Sequence, residues 1–394
     1  METREAEAST SVVYLDYNAT APLRPEALAA MLPILQGVGN SSSPHALGQR
    51  AARAVDIARR QLADLIGCSP GEIIFTSGAT EANNLALGAT AGRGGQMVTG
   101  ATEHPAVLEA ARAVSASSGA GLTILPVDSA GRIDLPTLSS ALRRGPVSVV
   151  SVMAANNETG VLSDLSEVIE LAHQAGALVH TDATQMVGRL SIDLSDLGVD
   201  LLSLSAHKFG GPQGVGALFI RRGISLPYTP LLIGGGQEKG WRAGTLNVAG
   251  VVGMGAAAAS AATELTAEVA RTAALRNRLE ASLLAKIPGS RVNGDRKHRL
   301  PGVTSITFPG APADALISSM PDVAVSDGSA CSSGAPGPSH VLLAMGLSYA
   351  DAESTLRFSL GYATTNEHID YAIAATVGAV QRVQTALHVP SAPA

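Results

Sequence analysis

Residues 147–182 read VSVVSVMAANNETGVLSDLSEVIELAHQAGALVHTD, and the order of patterns in them decides the fold. Val147–Met153 is apolar on nearly consecutive positions and rich in valine, the composition of a strand covered on both faces. A helix-period stretch follows, in which Leu165, Val168, Ile169 and Ala172 share one face and Gly176 stands as a C-terminal stop. A second buried strand, Ala177–Thr181, comes directly after it. Strand, helix, strand predicts a parallel pair joined by a right-handed crossover.

The same alternation extends outward from about residue 72 to residue 206. Further short apolar runs lie at Ile73–Thr76, Met97–Thr99, Leu122–Pro126 and Leu201–Leu204. The prediction is an α/β fold, a doubly wound and mostly parallel sheet. Past residue 263 the pattern changes to a charged helix (Glu264 to Ala285), shorter strands and a closing helix (Asn366 to Leu387). A large domain over 18–262 and a smaller α+β domain over 263–394, joined by 1–17, are expected.

Composition narrows the function. The chain has 394 residues with 27 Lys and Arg against 33 Asp and Glu, a net charge of −6. A weakly acidic chain without basic clusters argues against nucleic-acid binding. Hydrophobic residues make up 46% of the chain but aromatics only 3% of it, so base-stacking platforms are not expected either. Neither Cys68 nor Cys331 belongs to a Cys/His pair at zinc spacing, and no metal site is expected. METREAEAST at the start has no apolar stretch, which predicts no secretory signal. The apolar run Val248 to Ala262 is too short and too rich in Gly and Ala for a spanning helix, and reads as an interior helix. A cytoplasmic enzyme without membrane association is the expectation.

In a doubly wound sheet the ligand sits beyond the carboxyl ends of the strands, so the residues just after each strand matter most. Ser77-Gly78-Ala79-Thr80 opens a helix, where backbone N–H groups point outward and can hold a phosphate; it can equally be a simple cap. Asp182, with Gln185 close behind, ends one strand, and Ser205-Ala206-His207-Lys208 follows the next. A lysine directly after a buried strand must be desolvated or committed to a partner. An Asp and a Lys on neighbouring strand ends is what pyridoxal phosphate requires: an amine for a Schiff base and a carboxylate for the pyridine nitrogen. A structural ion pair is the competing account. His104 ends a third strand, where it can stack on a planar ring or pack on its own helix turn. Asn157 ends a fourth and offers an amide to a phenolic oxygen or a carboxylate. Cys331 lies among Gly, Ser, Ala and Pro, the setting of a reactive thiol on an exposed loop, although cysteine is more commonly a small buried hydrophobe. Arg357 can clamp a carboxylate or form an ion pair between domains.

FTSGATEANN, TEHPAV, NNETGV, HTDATQ, SLSAHKFGGPQGVG, GGGQEKGWRAGTLN, GSACSSG and LRFSLG, in unbroken order, resemble the cysteine desulfurases. These are aminotransferase-like class V pyridoxal phosphate enzymes, and the resemblance is to their nitrogen-fixation and iron–sulfur-assembly branch. It implies the aminotransferase-like fold and removal of sulfur from L-cysteine, giving alanine and a persulfide on Cys331. Lys208 would carry the cofactor and remove the Cα proton. Asp182 would pair with the ring nitrogen, His104 would stack on the ring, and Gln185 and Asn157 would face its hydroxyl. Ala79, Thr80, Ser205 and His207 would hold the phosphate. Thr245 would complete that cradle from the partner subunit of a homodimer. Arg357 would bind the substrate carboxylate, and a sulfur-acceptor protein would receive the sulfur. Asp327 stands where the family commonly has Ser, and Leu343 replaces a frequent Arg. Selenocysteine lyase or another class V reaction is the alternative.

Overall fold

The structure, a computed structural model, describes residues 12–227, 230–328 and 337–387. In chain order its strands are β1 (Val13–Tyr14), β2 (Ile73–Thr76), β3 (Gln96–Gly100), β4 (Leu122–Leu125), β5 (Val147–Ser151) and β6 (Leu178–Asp182). They continue with β7 (Leu201–Ser205), β8 (Gly216–Ile220), β9 (Arg291–Val292), β10 (Val303–Thr307), β11 (Val323–Ala324) and β12 (Thr355–Ser359).

β2 to β8 form one sheet in the order β2-β8-β7-β6-β5-β3-β4. Every neighbouring pair is parallel except the two that β8 makes, with β2 and with β7. β8 has no counterpart in the expected strands. Because it is antiparallel to both neighbours, β2 runs in the same direction as β7, and the carboxyl ends of β2, β3, β5, β6 and β7 share one edge. Burial explains why these runs are mostly apolar: every residue of β2, β5, β6 and β7 is buried. The crossover helix Leu165–Gln174 buries Leu165, Val168, Ile169 and Ala172, and Gly176 takes the left-handed φ of +75° that ends it.

A second core lies around the antiparallel sheet β12-β10-β9. Leu356 and Phe358 of β12 and Ile306 of β10 pack there with Ile369, Ala372 and Val380 of the helix Asn366–Ala386. Val13 and Leu15, from the start of the chain, belong to this core as well.

One expectation is corrected. The helix that was to begin at Glu264 is continuous with the Gly/Ala run before it, as a single helix Val248–Lys286 of 39 residues. The change of composition at residue 263 marks a change of surroundings and not a break in the helix. Val248, Val251, Met254, Ala257 and Ala258 sit in the main core, whereas Leu275, Leu279 and Leu283 sit in the second.

Candidate active site

A cavity of about 420 Å³ opens at the carboxyl edge of the large sheet. Its walls come from consecutive strand ends. The turn after β2 supplies Ser77, Gly78, Ala79 and Thr80. The β3 end supplies His104, the β5 end Asn157, the β6 end Asp182 and Gln185, and the β7 end Ser205, His207 and Lys208. Nine of the ten positions expected to hold the cofactor therefore line one space. The tenth, Thr245, is exposed and lies outside this lining.

The turn after β2 leads into the helix Ala79–Ala91, whose N-terminus is capped without a side-chain hydrogen bond. Such an end leaves backbone donors for an anion. Gly216 of β8 lies directly against the turn: a Cβ there would meet the carbonyl oxygen of Leu204 at 2.5 Å and Gly78 Cα at 2.7 Å. Only a glycine lets β8 run this close. Glu81 accepts from the Ser77 N–H at 2.8 Å and from Arg242 Nε at 3.0 Å. Burial pushes its carboxyl up, but the bonds from Arg242 and Ser77 outweigh that and hold it below the usual carboxylate range.

Asp182 is oriented by two donors. Asn83 Nδ2 reaches Oδ2 at 2.8 Å, and the Thr184 N–H reaches Oδ1 at 3.0 Å. Two residues earlier on β6, His180 is clasped between Ser151 Oγ at 2.8 Å and Ser203 Oγ at 3.0 Å. Burial pulls its imidazole down to about 4, so the folded chain keeps it neutral. A histidine whose folded pKa lies below its unfolded value carries its full stability above the unfolded pKa of about 6.5, and loses it as pH falls. Relative to a His180→Asn variant, the apoprotein is expected to lose stability between pH 6.5 and 4, by on the order of 3 kcal/mol at the acid end. Urea unfolding at several pH values measures this, and parallel curves for the two proteins would refute it.

Lys208 Nζ donates to the carbonyl oxygens of Asn18 at 2.6 Å and Ala19 at 2.8 Å. The segment that supplies them is fixed by Arg189, which donates to Asn18 Oδ1, to the Tyr17 carbonyl at 2.7 Å and to the Lys208 carbonyl at 3.2 Å. His104 caps the helix Pro105–Ser118, its Nδ1 accepting from the Ala106 N–H at 3.0 Å. Burial lowers its pKa, with Asp182 opposing that. Burial and the neighbouring Lys208 and Arg189 also pull His207 down to about 4.

Arg357 lies outside the cavity lining and is 2% exposed. It pairs with Asp16 at 2.6 Å and donates to the Asn157 carbonyl at 3.0 Å. Of the two accounts given for it above, the ion pair is the one formed here. Cys331 lies outside the described residues.

Several residues of the site went unanticipated. Asn83 sits one helix turn beyond the phosphate turn, and its helical spacing from Ala79 was the signal available. Asn18 and Ala19 reach the lysine from the far N-terminal side, and nothing local in YLDYNAT announces that.

The residues present fit pyridoxal phosphate. Asn157 Oδ1, Gln185 Oε1 and Thr184 Oγ1 all belong to lining residues and are buried without a hydrogen-bond partner. A buried acceptor left unpaired costs roughly 1–3 kcal/mol, so three of them around one cavity point to a polar ligand. Among the described residues no group of His, Cys, Asp and Glu could hold a metal ion.

Comparison with known proteins agrees with this geometry. The Aminotransferase class-V family model matches residues 13–372. A relative named cysteine desulfurase IscS, from Anaeromyxobacter dehalogenans (strain 2CP-C), is 45% identical over 367 residues, which are 92% of this chain and 90% of the relative. A solved structure of a NifS-like protein superposes with a TM-score of 0.85 at 33% identity, covering 96% of this chain and all of that one. A second, of SspA in complex with cysteine, gives 0.77 at 33% identity, over 88% and 98%.

Proposed function

The chain belongs to the class V aminotransferase family, and from that premise we propose that it is a pyridoxal phosphate-dependent cysteine desulfurase. One observation carries the reading: Lys208 and Asp182, from adjacent parallel strands, face one cavity together with buried acceptors that have no protein partner.

When bound, pyridoxal phosphate supplies an electron sink that makes the Cα–H bond and then the C–S bond of a bound cysteine labile. The free backbone donors at the start of the helix Ala79–Ala91, with Thr80, Ser205 and His207, bind the phosphate. Asp182, its two oxygens already oriented by Asn83 and Thr184, holds a proton on the pyridine nitrogen. Asn157 and Gln185 would hold the ring hydroxyl, and His104 would stack on the ring; all three line the cavity. Lys208, now held by the Asn18 and Ala19 carbonyls, would hold the cofactor through its amine and would take the Cα proton of the substrate. Arg357 exchanges Asp16 for the substrate carboxylate.

The sulfur step balances without an external reagent. The Cys331 thiolate attacks the substrate sulfur, and the S–S bond forms as the C–S bond breaks. The C–S electron pair stays with carbon, which takes a proton and leaves as the methyl group of alanine. The sulfur is thereby oxidised to the sulfane level. A thiol or an acceptor protein then draws the sulfane sulfur from Cys331.

A homodimer with a shared site is part of the proposal. Leu231, Leu232 and Ile233 are exposed by 63, 44 and 81%. They adjoin the phosphate turn, where Leu231 and Leu232 line a groove with Ser77, Thr80, Trp241 and Arg242. An apolar surface beside an incomplete cradle suits a second copy, whose exposed Thr245 would complete it. A cytoplasmic location and a role in iron–sulfur assembly accompany the reading.

The test is incubation of cofactor-loaded protein with L-cysteine and a reducing thiol. One alanine per sulfide is expected. No alanine from L-cysteine, with rapid alanine release from L-selenocysteine, would shift the assignment to a selenocysteine lyase.

A further inference from the structure

We propose that Glu158 is a positioning residue for sulfur transfer: its buried carboxyl grips both flanks of the segment that carries Cys331 and ties them to the turn that carries Asn157. This deepens the desulfurase reading and rests on Cys331 being the sulfur acceptor.

The turn is rigid. Asn156 Oδ1 accepts from the backbone N–H groups of Glu158 and Thr159, each at 2.9 Å, and Asn156 Nδ2 donates to the Thr102 carbonyl at 3.1 Å. Arg357 Nη1 and Asn18 Nδ2 both donate to the Asn157 carbonyl, at 3.0 and 2.8 Å. Asn157 lines the cavity, while the next side chain, Glu158, is 5% exposed and meets two other elements.

On one flank Glu158 Oε2 accepts a hydrogen bond from Ser339 Oγ. Ser339 also caps the helix His340–Ala344, its Oγ accepting from the Leu342 N–H at 3.1 Å. His340 follows, with Nε2 placed 3.0 Å from the carbonyl oxygen of Glu103, the residue before His104. On the other flank the carboxyl packs against Gly328, where a Cβ would stand 2.8 Å from Oε2. Gly328 takes a left-handed φ of +87° and donates its N–H to Ser326 Oγ at 3.0 Å. Ser326 in turn pairs with the backbone of Arg357 at 2.7 and 3.3 Å. One carboxyl thus touches residue 328 on one side of Cys331 and residue 339 on the other.

Stability alone does not account for a carboxyl in that place. Burial raises its pKa to about 7, with Arg357 drawing it down and Asp327 pushing it up. A buried acid is costly where an apolar side chain would not be. One oxygen, Oε2, accepts from Ser339 Oγ and also lies against Gly328, so a single carboxyl sits between the two ends of the segment. Holding residues 328 and 339 fixes where the chain enters and leaves that segment, and attack on sulfur needs near-attack geometry.

The experiment follows cofactor loading, the spectral change on cysteine addition, and single-turnover persulfide formation on Cys331 by mass spectrometry. In Glu158→Ala the first two are expected within about twofold of wild type, while persulfide formation slows roughly 10- to 100-fold, the scale set by an ångström of misplacement. Glu158→Gln, whose amide oxygen still accepts from Ser339, restores most of the rate. Ser339→Ala slows transfer as Glu158→Ala does, and the double variant is no slower than either. Wild-type transfer in Ser339→Ala overturns the proposal. So does a Glu158→Ala protein whose cofactor loading falls as much as its transfer. Cys331→Ala is run alongside: alanine release at the wild-type rate from that protein would remove the acceptor assignment itself and leave the anchoring measurement distinguishable.

Discussion

Lys208→Ala is expected to release no alanine from L-cysteine, a loss on the order of 10⁴-fold or more, because the proposed mechanism has one amine both carry the cofactor and move the Cα proton. The covalent bond between cofactor and protein disappears with it, and so does the near-ultraviolet to visible band that bond produces. The cavity survives. Asp182 keeps its donors Asn83 and Thr184, and the phosphate turn remains packed on β8 through Gly216. Two carbonyl oxygens, of Asn18 and Ala19, lose their lysine donor, which lowers stability by roughly 1–3 kcal/mol for each that stays dry. Equilibrium dialysis should still show pyridoxal phosphate bound, now removable without hydrazine or hydroxylamine. Turnover above a hundredth of wild type would take the lysine out of the chemistry.

Cys331→Ala separates the two halves of the reaction. Loss of the thiol removes the only atom proposed to receive sulfur, and alanine release under turnover is expected to fall about 10³-fold or more. Cofactor binding is expected to survive, because every residue proposed to hold the cofactor is unchanged in this variant. Addition of L-cysteine still changes the absorption spectrum, and the Cα proton still exchanges with solvent deuterium, since Lys208 is intact. Proton exchange without alanine is therefore the signature. Undiminished alanine release would mean that sulfur leaves by another route.

Much of this site was legible because its chemistry is local to strand ends. A buried strand that terminates in His-Thr-Asp, and a neighbour that terminates in Ser-Ala-His-Lys, announces itself through a reversal from apolar to polar residues over two positions. Topology does the rest, since parallel strands bring all such ends to one edge. Contacts made across long sequence separations were not legible. The partner of Asp182 lies 99 residues away at Asn83, and the carbonyl groups that hold Lys208 lie 190 and 189 away. Arg357 shows the same limit. Its place on a strand was readable from STLRFSLG, but its choice of Asp16, 341 residues distant, was not. The continuous helix was misread for another reason: apolar periodicity reports what surrounds a helix, so a helix that leaves one core and enters another looks like two.

That helix has a consequence for how the molecule comes apart. Its first turns are bricked into the main core and its last into the second, so it acts as a common beam. Melting either half frays an element that the other half needs. The two halves are therefore expected to unfold as one cooperative unit and not as successive modules, and severing the chain after Ala262 would strand the apolar stripe Leu275, Leu279 and Leu283 on a fragment cut off from the helix turns that the main core holds.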